Sequence, residues 1–204
     1  VLKALPVRRH AGGFTLIELM VTIAIVALLM LAAVPSLGTW RADASIRNTA
    51  EDLLGAVRLA QSTAISSNRT TVLALTRAAP TWDAEPADNG SNWYVRTLPL
   101  SGSDEEAGPD DLLRATSVGT QNGVTITGPA LLCFNSQGRQ ATKTADDTGM
   151  GTACTAPTND VSEPTEYLLT RDNGRSLLVR VYLGGRVRLC DPAKTLSDSA
   201  PDGC

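Results

Sequence analysis

Gly13-Phe14-Thr15-Leu16-Ile17-Glu18 opens an apolar run that continues to Val34, and Glu18 is the only charged residue between Phe14 and Val34. As a helix the run is about 30 Å long, the thickness of a bilayer hydrocarbon core. A carboxylate inside such a helix costs about 2.5–3.5 kcal/mol at full depth, so Glu18 demands a partner. Cutting the chain after Gly13 would free an α-amino group on Phe14. That cation lies four positions before Glu18, the spacing at which opposite charges meet across one helical turn. The pattern predicts a leader over 1–13 and a transmembrane helix over 14–34. Lys3, Arg8 and Arg9 in the leader favour a cytoplasmic N-terminus, which puts the remainder in the periplasm.

Beyond Val34, Pro35 removes a backbone donor and predicts a kink, with Gly38 loosening the same region. Ile46, Ala50, Leu53, Val57, Ala60 and Ala64 then recur every three or four residues, one face of an amphipathic helix over 35–68 that continues the first. From Arg69 the period becomes two. Strands are expected at 71–76, 93–98, 112–118, 124–127 and 131–134, followed by an exposed, irregular excursion over 141–164. The clearest pattern comes last: 167–170, a turn at Asp172-Asn173-Gly174, 176–183, a turn at Gly184-Gly185, then 186–190, an antiparallel meander. The expected fold is therefore α+β, a long N-terminal helix packed on an antiparallel β-sheet domain over 69–204.

The 204 residues carry 18 basic and 21 acidic side chains, and without the leader the formal charge falls from −3 to −6. A chain this acidic meets nucleic acid only through a local patch. The four cysteines, Cys133, Cys154, Cys190 and Cys204, suit two disulfides in an oxidising compartment. Three pairings are possible. Local pairing, Cys133–Cys154 and Cys190–Cys204, is the expectation, the first stapling the excursion and the second tying down the tail. No pair has the CxxC spacing of a metal site, and the lone His10 lies in the leader. The acidic run Asp104, Glu105, Glu106, Asp110 and Asp111 matches no calcium-loop spacing. With no histidine after the leader, no phosphate-cradling glycine loop and no nucleophile beside a base, the chain is not expected to be an enzyme, and neither a cofactor nor a small-molecule substrate is implied.

One local patch stands out. Arg171, Arg175, Arg180, Arg186 and Arg188 face only Glu166 and Asp172 between 166 and 190. Guanidinium groups suit bidentate phosphate contacts. Arg186 and Arg188 share one face of a strand. A three-residue turn over 183–185 would pair Tyr182 with Arg186 and Arg180 with Arg188, giving one basic face. A two-residue Gly184-Gly185 turn would move Arg180 and Tyr182 to the other face. Arginines on an edge strand also block edge-to-edge pairing without binding anything.

The N-terminal stretch resembles that of the type IV pilins and pseudopilins. There a prepilin peptidase cuts after the glycine matched by Gly13 and N-methylates the residue matched by Phe14. The glutamate matched by Glu18 neutralises the amine of a neighbouring subunit during filament assembly. The segment Gly185-Arg186-Val187-Arg188 resembles the glycine-arginine-any-arginine motif of the FimT branch of minor pilins, which shares its globular domain with GspH and FimU. Leu132 to Arg139 is similar to the strand and turn of that domain. The resemblance implies a pilin-like fold, an inner-membrane anchor and other pilins or pseudopilins as partners. It also implies DNA contact at Arg186 and Arg188 during natural transformation, to which local charge adds Arg171, Arg175 and Arg180. The alternative it implies is a GspH-like subunit of type II secretion, or a FimU-like pilus-tip subunit, without nucleic acid.

Overall fold

A computed structural model describes residues 13–100, 103–118, 123–159 and 163–204, the side chains of 31–37 excepted. The chain divides into two compact units, Val1–Gly38 and Thr39–Cys204. In the first, helix α1 (Leu16–Ser67) begins directly after Thr15. The Thr15 hydroxyl accepts a hydrogen bond from the Glu18 N–H at 3.3 Å, so the pair forms the first half of a capping box. Glu18 thus also sits in the first turn of a helix, where the aligned peptide dipoles favour negative charge. From Leu16 to Met30 the large apolar side chains are exposed on every side of the helix. A helix apolar all round needs apolar surroundings. Among the described residues no helix is long and apolar enough to cross a membrane. The described side chains of the apolar helix end at residue 30, and both its last residues and the kink expected at Pro35 fall among 31–37, outside the described side chains.

In the second unit the helical stripe is the core. Ile46, Ala50, Leu53, Val57, Ala60 and Ala64, the six positions picked out by periodicity, are all fully buried. They share one cluster with the inner faces of two antiparallel four-stranded sheets. The first sheet has the order β3 (Leu112–Thr116), β2 (Asn92–Thr97), β1 (Thr71–Thr76) and β5 (Leu131–Phe134). It offers Leu73, Leu75, Trp93, Val95, Leu132 and Phe134 to the helix. The second sheet has the order β4 (Thr125–Thr127), β6 (Thr165–Thr170), β7 (Leu177–Val181) and β8 (Val187–Cys190). Its inner side chains include Ile126, Tyr167, Leu169, Val179 and Val181. The β6–β7–β8 meander is the one the turn residues predict.

The excursion after β5 is largely exposed and stapled by a disulfide as expected, but it does not stand clear of the domain. It holds a short helix α2 (Ala145–Thr148) and lies on the outer face of the first sheet, where Cys154 and Met150 join Val72, Ala74, Tyr94 and Leu131 in a second cluster. The Cys133–Cys154 disulfide fixes the segment there, and the Tyr94 hydroxyl donates to the Ala84 carbonyl at 2.6 Å beneath it. Both faces of β1 and β2 are consequently buried. A polar segment can do this because its few apolar side chains and one covalent bond sit over the sheet while its threonines bond locally. Thr148, for example, donates to the Thr152 carbonyl at 2.7 Å.

Two turns fasten the meander to the helix. At the β6–β7 turn, a Cβ on Gly174 would lie 2.6 Å from Ile46 Cδ1. At the β7–β8 turn, a Cβ on Gly185 would lie 2.1 Å from the Gly138 carbonyl oxygen and 2.2 Å from Gln61 Nε2. Ile46 and Gln61 are about 22 Å apart along the helix, so β7 runs the length of this contact. Leu53 sits in the middle of the stripe. Leu53→Ala should lower unfolding free energy by roughly 2–5 kcal/mol, read as a reduced urea midpoint with unchanged slope.

Candidate nucleic-acid interface

The register left open by the sequence is resolved by the β7–β8 turn. Gly185 has φ +87°, a left-handed conformation that closes a three-residue loop over 183–185. The Tyr182 N–H donates to the Arg186 carbonyl at 2.9 Å, and Arg180 lies opposite Arg188. Val179 and Val181 face the helix, which leaves Arg180, Tyr182, Arg186 and Arg188 together on the outer face. The two-residue turn does not occur. The Arg186 guanidinium stacks over the Tyr182 ring at 4.1 Å from its centroid, a cation–π contact that leaves the side chain exposed.

Two arginines of this face are engaged by the chain itself. Arg180 Nε donates to Glu166 Oε1 at 2.7 Å, and its Nη1 donates to the Cys204 main-chain oxygen at 3.0 Å. Arg188 Nη2 donates to the carbonyls of Pro201 and Gly203 at 3.0 and 2.9 Å. The segment they hold is the one after β8, cinched by the Cys190–Cys204 disulfide. The Asp191 N–H donates to the Asp202 carbonyl at 2.7 Å, and the Asp191 carbonyl accepts from the Cys204 N–H at 3.3 Å. Lys194 hydrogen-bonds Asp202 and holds its carboxyl below the usual carboxylate range. Carbonyl partners leave the Arg188 charge in place but occupy donors that would grip a phosphate, whereas Arg180 is also paired with the Glu166 carboxylate.

The remaining expected arginines stand apart. Arg175 lies at the far end of β7, where its main-chain N–H donates to Asp43 Oδ1 at 2.7 Å and its guanidinium is 4.0 Å from Asp191. It borders a groove of about 450 Å³ lined by both signs of charge, among them Asp43, Arg47 and Asp202, with Trp40 at its edge. Arg171 follows β6 at the same end and lies against Gly123. The five arginines therefore split between the two ends of β7 and do not make one continuous face. At the N-terminal motif, Gly13 has open space around it and Phe14 is 80% exposed. Among the described residues no cluster of His, Cys, Asp or Glu is placed to hold a metal. The acidic run is engaged otherwise: Glu105 pairs with Arg69, and Asp111 accepts from the Thr97 hydroxyl at 2.8 Å and the Gly108 N–H at 2.9 Å.

The family described as Type II transport protein GspH matches residues 49–185, about two thirds of the chain. The chain belongs to the GspH family. The prokaryotic N-terminal methylation motif matches residues 8–34. As a GspH-family protein with that motif it is a minor pilin or pseudopilin, a membrane-anchored structural subunit, and processing by prepilin peptidase and assembly with other pilins follow from the family. Two crystal structures of the type IV minor pilin FimU of Pseudomonas aeruginosa are similar to it at 16% and 17% identity. They cover 74% and 75% of this chain and 97% and 92% of their own, with TM-scores of 0.45 and 0.43. No curated protein matches.

The Cys190–Cys204 bond ties the last fourteen residues of this GspH-family chain to β8 as the local pairing predicts, but sequence reading missed that the motif's second arginine clamps them. No signal in the sequence marks that clamp, because its partners are the main-chain carbonyls of Pro201 and Gly203. Arg188→Gln removes the clamp and should raise amide hydrogen exchange at Asp191 and Cys204 several-fold, whereas Arg186→Gln should leave both unchanged.

Proposed function

We propose that this GspH-family subunit is cut after Gly13, methylated on Phe14, anchored by residues 14–34 with its second unit in the periplasm, and recruited into a filament through Glu18. In that filament it captures DNA through the β7–β8 turn for uptake in natural transformation. The observation that carries the DNA reading is the outer face of the β7–β8 hairpin, where Arg186 is exposed, stacked and free of any carboxylate among the described residues. Arg186 is the leading contact. Arg188 and Arg180 contribute field from behind it while holding the tail, and Arg175 and Arg171 act at long range. Phosphate contacts dominate such an interface, so binding is sequence-independent and falls steeply with salt.

A second reading is a type II secretion pseudopilin or a pilus-tip subunit with no nucleic-acid role. It is favoured by the donors that Arg180 and Arg188 spend on their own chain. In a mobility-shift titration of the full chain against duplex DNA at two salt concentrations, the first reading expects retention at low salt that weakens strongly at high salt. Arg186→Gln with Arg188→Gln should abolish it; equal binding by parent and double variant would sink the DNA assignment. Intact-mass measurement of the protein purified from a host with a prepilin peptidase should give a chain starting at Phe14 and carrying one extra methyl group.

A further inference from the structure

In this acidic chain several cations are neutralised locally. Arg47, Arg69, Arg114, Arg175, Arg180 and Lys194 each lie within 4.0 Å of a carboxylate. The acids are unevenly spread along the sequence, and residues 53–68, 130–145 and 173–190 contain none. These three acid-free stretches come from α1, the turn after β5, and the β7–β8 hairpin. The fold brings them together at one point.

That point is built from small, close contacts. Gln61 Nε2 donates to the Gly138 carbonyl at 2.9 Å. The Gln140 N–H donates to the Leu183 carbonyl at 2.9 Å, which locks the 135–140 turn against the 183–185 turn. Gly138 and Gly185 both have positive φ; a Cβ on Gly185 would meet the Gly138 carbonyl at 2.1 Å, and one on Gly138 would meet Ile65 Cδ1 at 2.7 Å. Each segment presents one exposed arginine with no carboxylate partner among the described residues. Arg186 follows Gly185, and Arg139 follows Gly138. Arg58 lies on the flank of α1 that carries Gln61 and Ile65, within about 60° of both around the helix, and both reach the Gly138 turn. Arg41 and Arg171, also without a carboxylate within 4.0 Å among the described residues, belong to the opposite end, where Asp43, Asp191 and Asp202 line the groove beside Trp40. Glu166, the nearest acid in the neighbouring strand, is committed to Arg180.

We propose that Arg58, Arg139 and Arg186 form one cationic corner that receives the phosphodiester backbone of DNA, a use of Arg58 and Arg139 that no motif assigns. The inference rests on the DNA reading above and adds two residues and a location to it. The corner is rigid because the Gln61 side chain ties α1 to the Gly138 turn and the Gln140–Leu183 main-chain hydrogen bond ties that turn to the 183–185 turn, so the guanidinium groups lose little backbone freedom on binding. Tyr182 is too buried to stack on a base; it serves as the platform that holds Arg186 outward.

The test is fluorescence anisotropy of a labelled duplex with the full chain in nonionic micelles, across a salt series. Arg58→Gln and Arg139→Gln should each weaken binding about threefold or more and each reduce the slope of log K against log salt by about one. Arg47→Gln, which removes a cation paired to Glu51, should shift affinity less than twofold. If Arg186→Gln weakens binding while Arg58→Gln and Arg139→Gln do not, the corner is wrong and the DNA reading stands. If Arg47→Gln costs as much as the other two, binding follows net charge and the corner is again wrong. If the parent fails to bind at low salt, both proposals fall. All three corner arginines are exposed, so an unchanged melting temperature in each variant confirms that the loss is one of binding.

Discussion

The second unit depends on one stripe of a helix finding two sheets at once. Four of its six positions are alanine or valine, and the close approach this permits lets glycines at both ends of β7 touch the helix backbone and side chains. Larger side chains along the stripe would hold the meander away, and the turns at Gly174 and Gly185 would lose their seats. Burial of apolar surface supplies the driving force here, since aromatic residues are few and the sheets bring mainly leucine, valine and isoleucine to the contact. The positions of the arginines follow from this packing. Their spacing along β7 is fixed by where its two turns meet the helix.

Much of this was readable in the residues and some was not. The helical stripe was legible because a period near 3.6 with unbroken small apolar residues has no competing explanation. The meander was legible from Asn173-Gly174 and Gly184-Gly185. The hairpin register was not, since either turn length suits a Gly-Gly pair, and only the close approach of Gly138 and Gln61 selects the longer one. The covered outer face of the first sheet was hidden because the covering segment is polar, with Cys154 and Met150 joining Ala84 and Leu112 in the outer cluster. Of the candidate site, the charge and the motif could be seen, but the clamp on Arg188 could not, because main-chain oxygens leave no mark in a sequence. The convergence of Arg58 and Arg139 with Arg186 was equally out of reach, being a matter of tertiary contact between stretches some eighty and forty-five residues apart.

The arrangement of charge separates two jobs within a four-residue motif. Arg186 is stacked on an aromatic ring and points outward, while Arg188, two residues on, is bonded to carbonyls. Neighbours on one face of one strand thus differ in what they have left to offer, and what decides it is whether other chain lies alongside. Counting like residues in a window overstates a patch for that reason.

The pairing of Asp191 with Asp202 and Cys204 bears on how such subunits tolerate crowding. A sheet margin with vacant amides and carbonyls invites a strand from the next molecule, and subunits packed at high density along a fibre meet that hazard constantly. Immediately past β8 both main-chain groups of Asp191 are already taken, by Asp202 and Cys204. The covalent loop therefore acts as a selvedge, a finished border that stops the weave from running on into a neighbour.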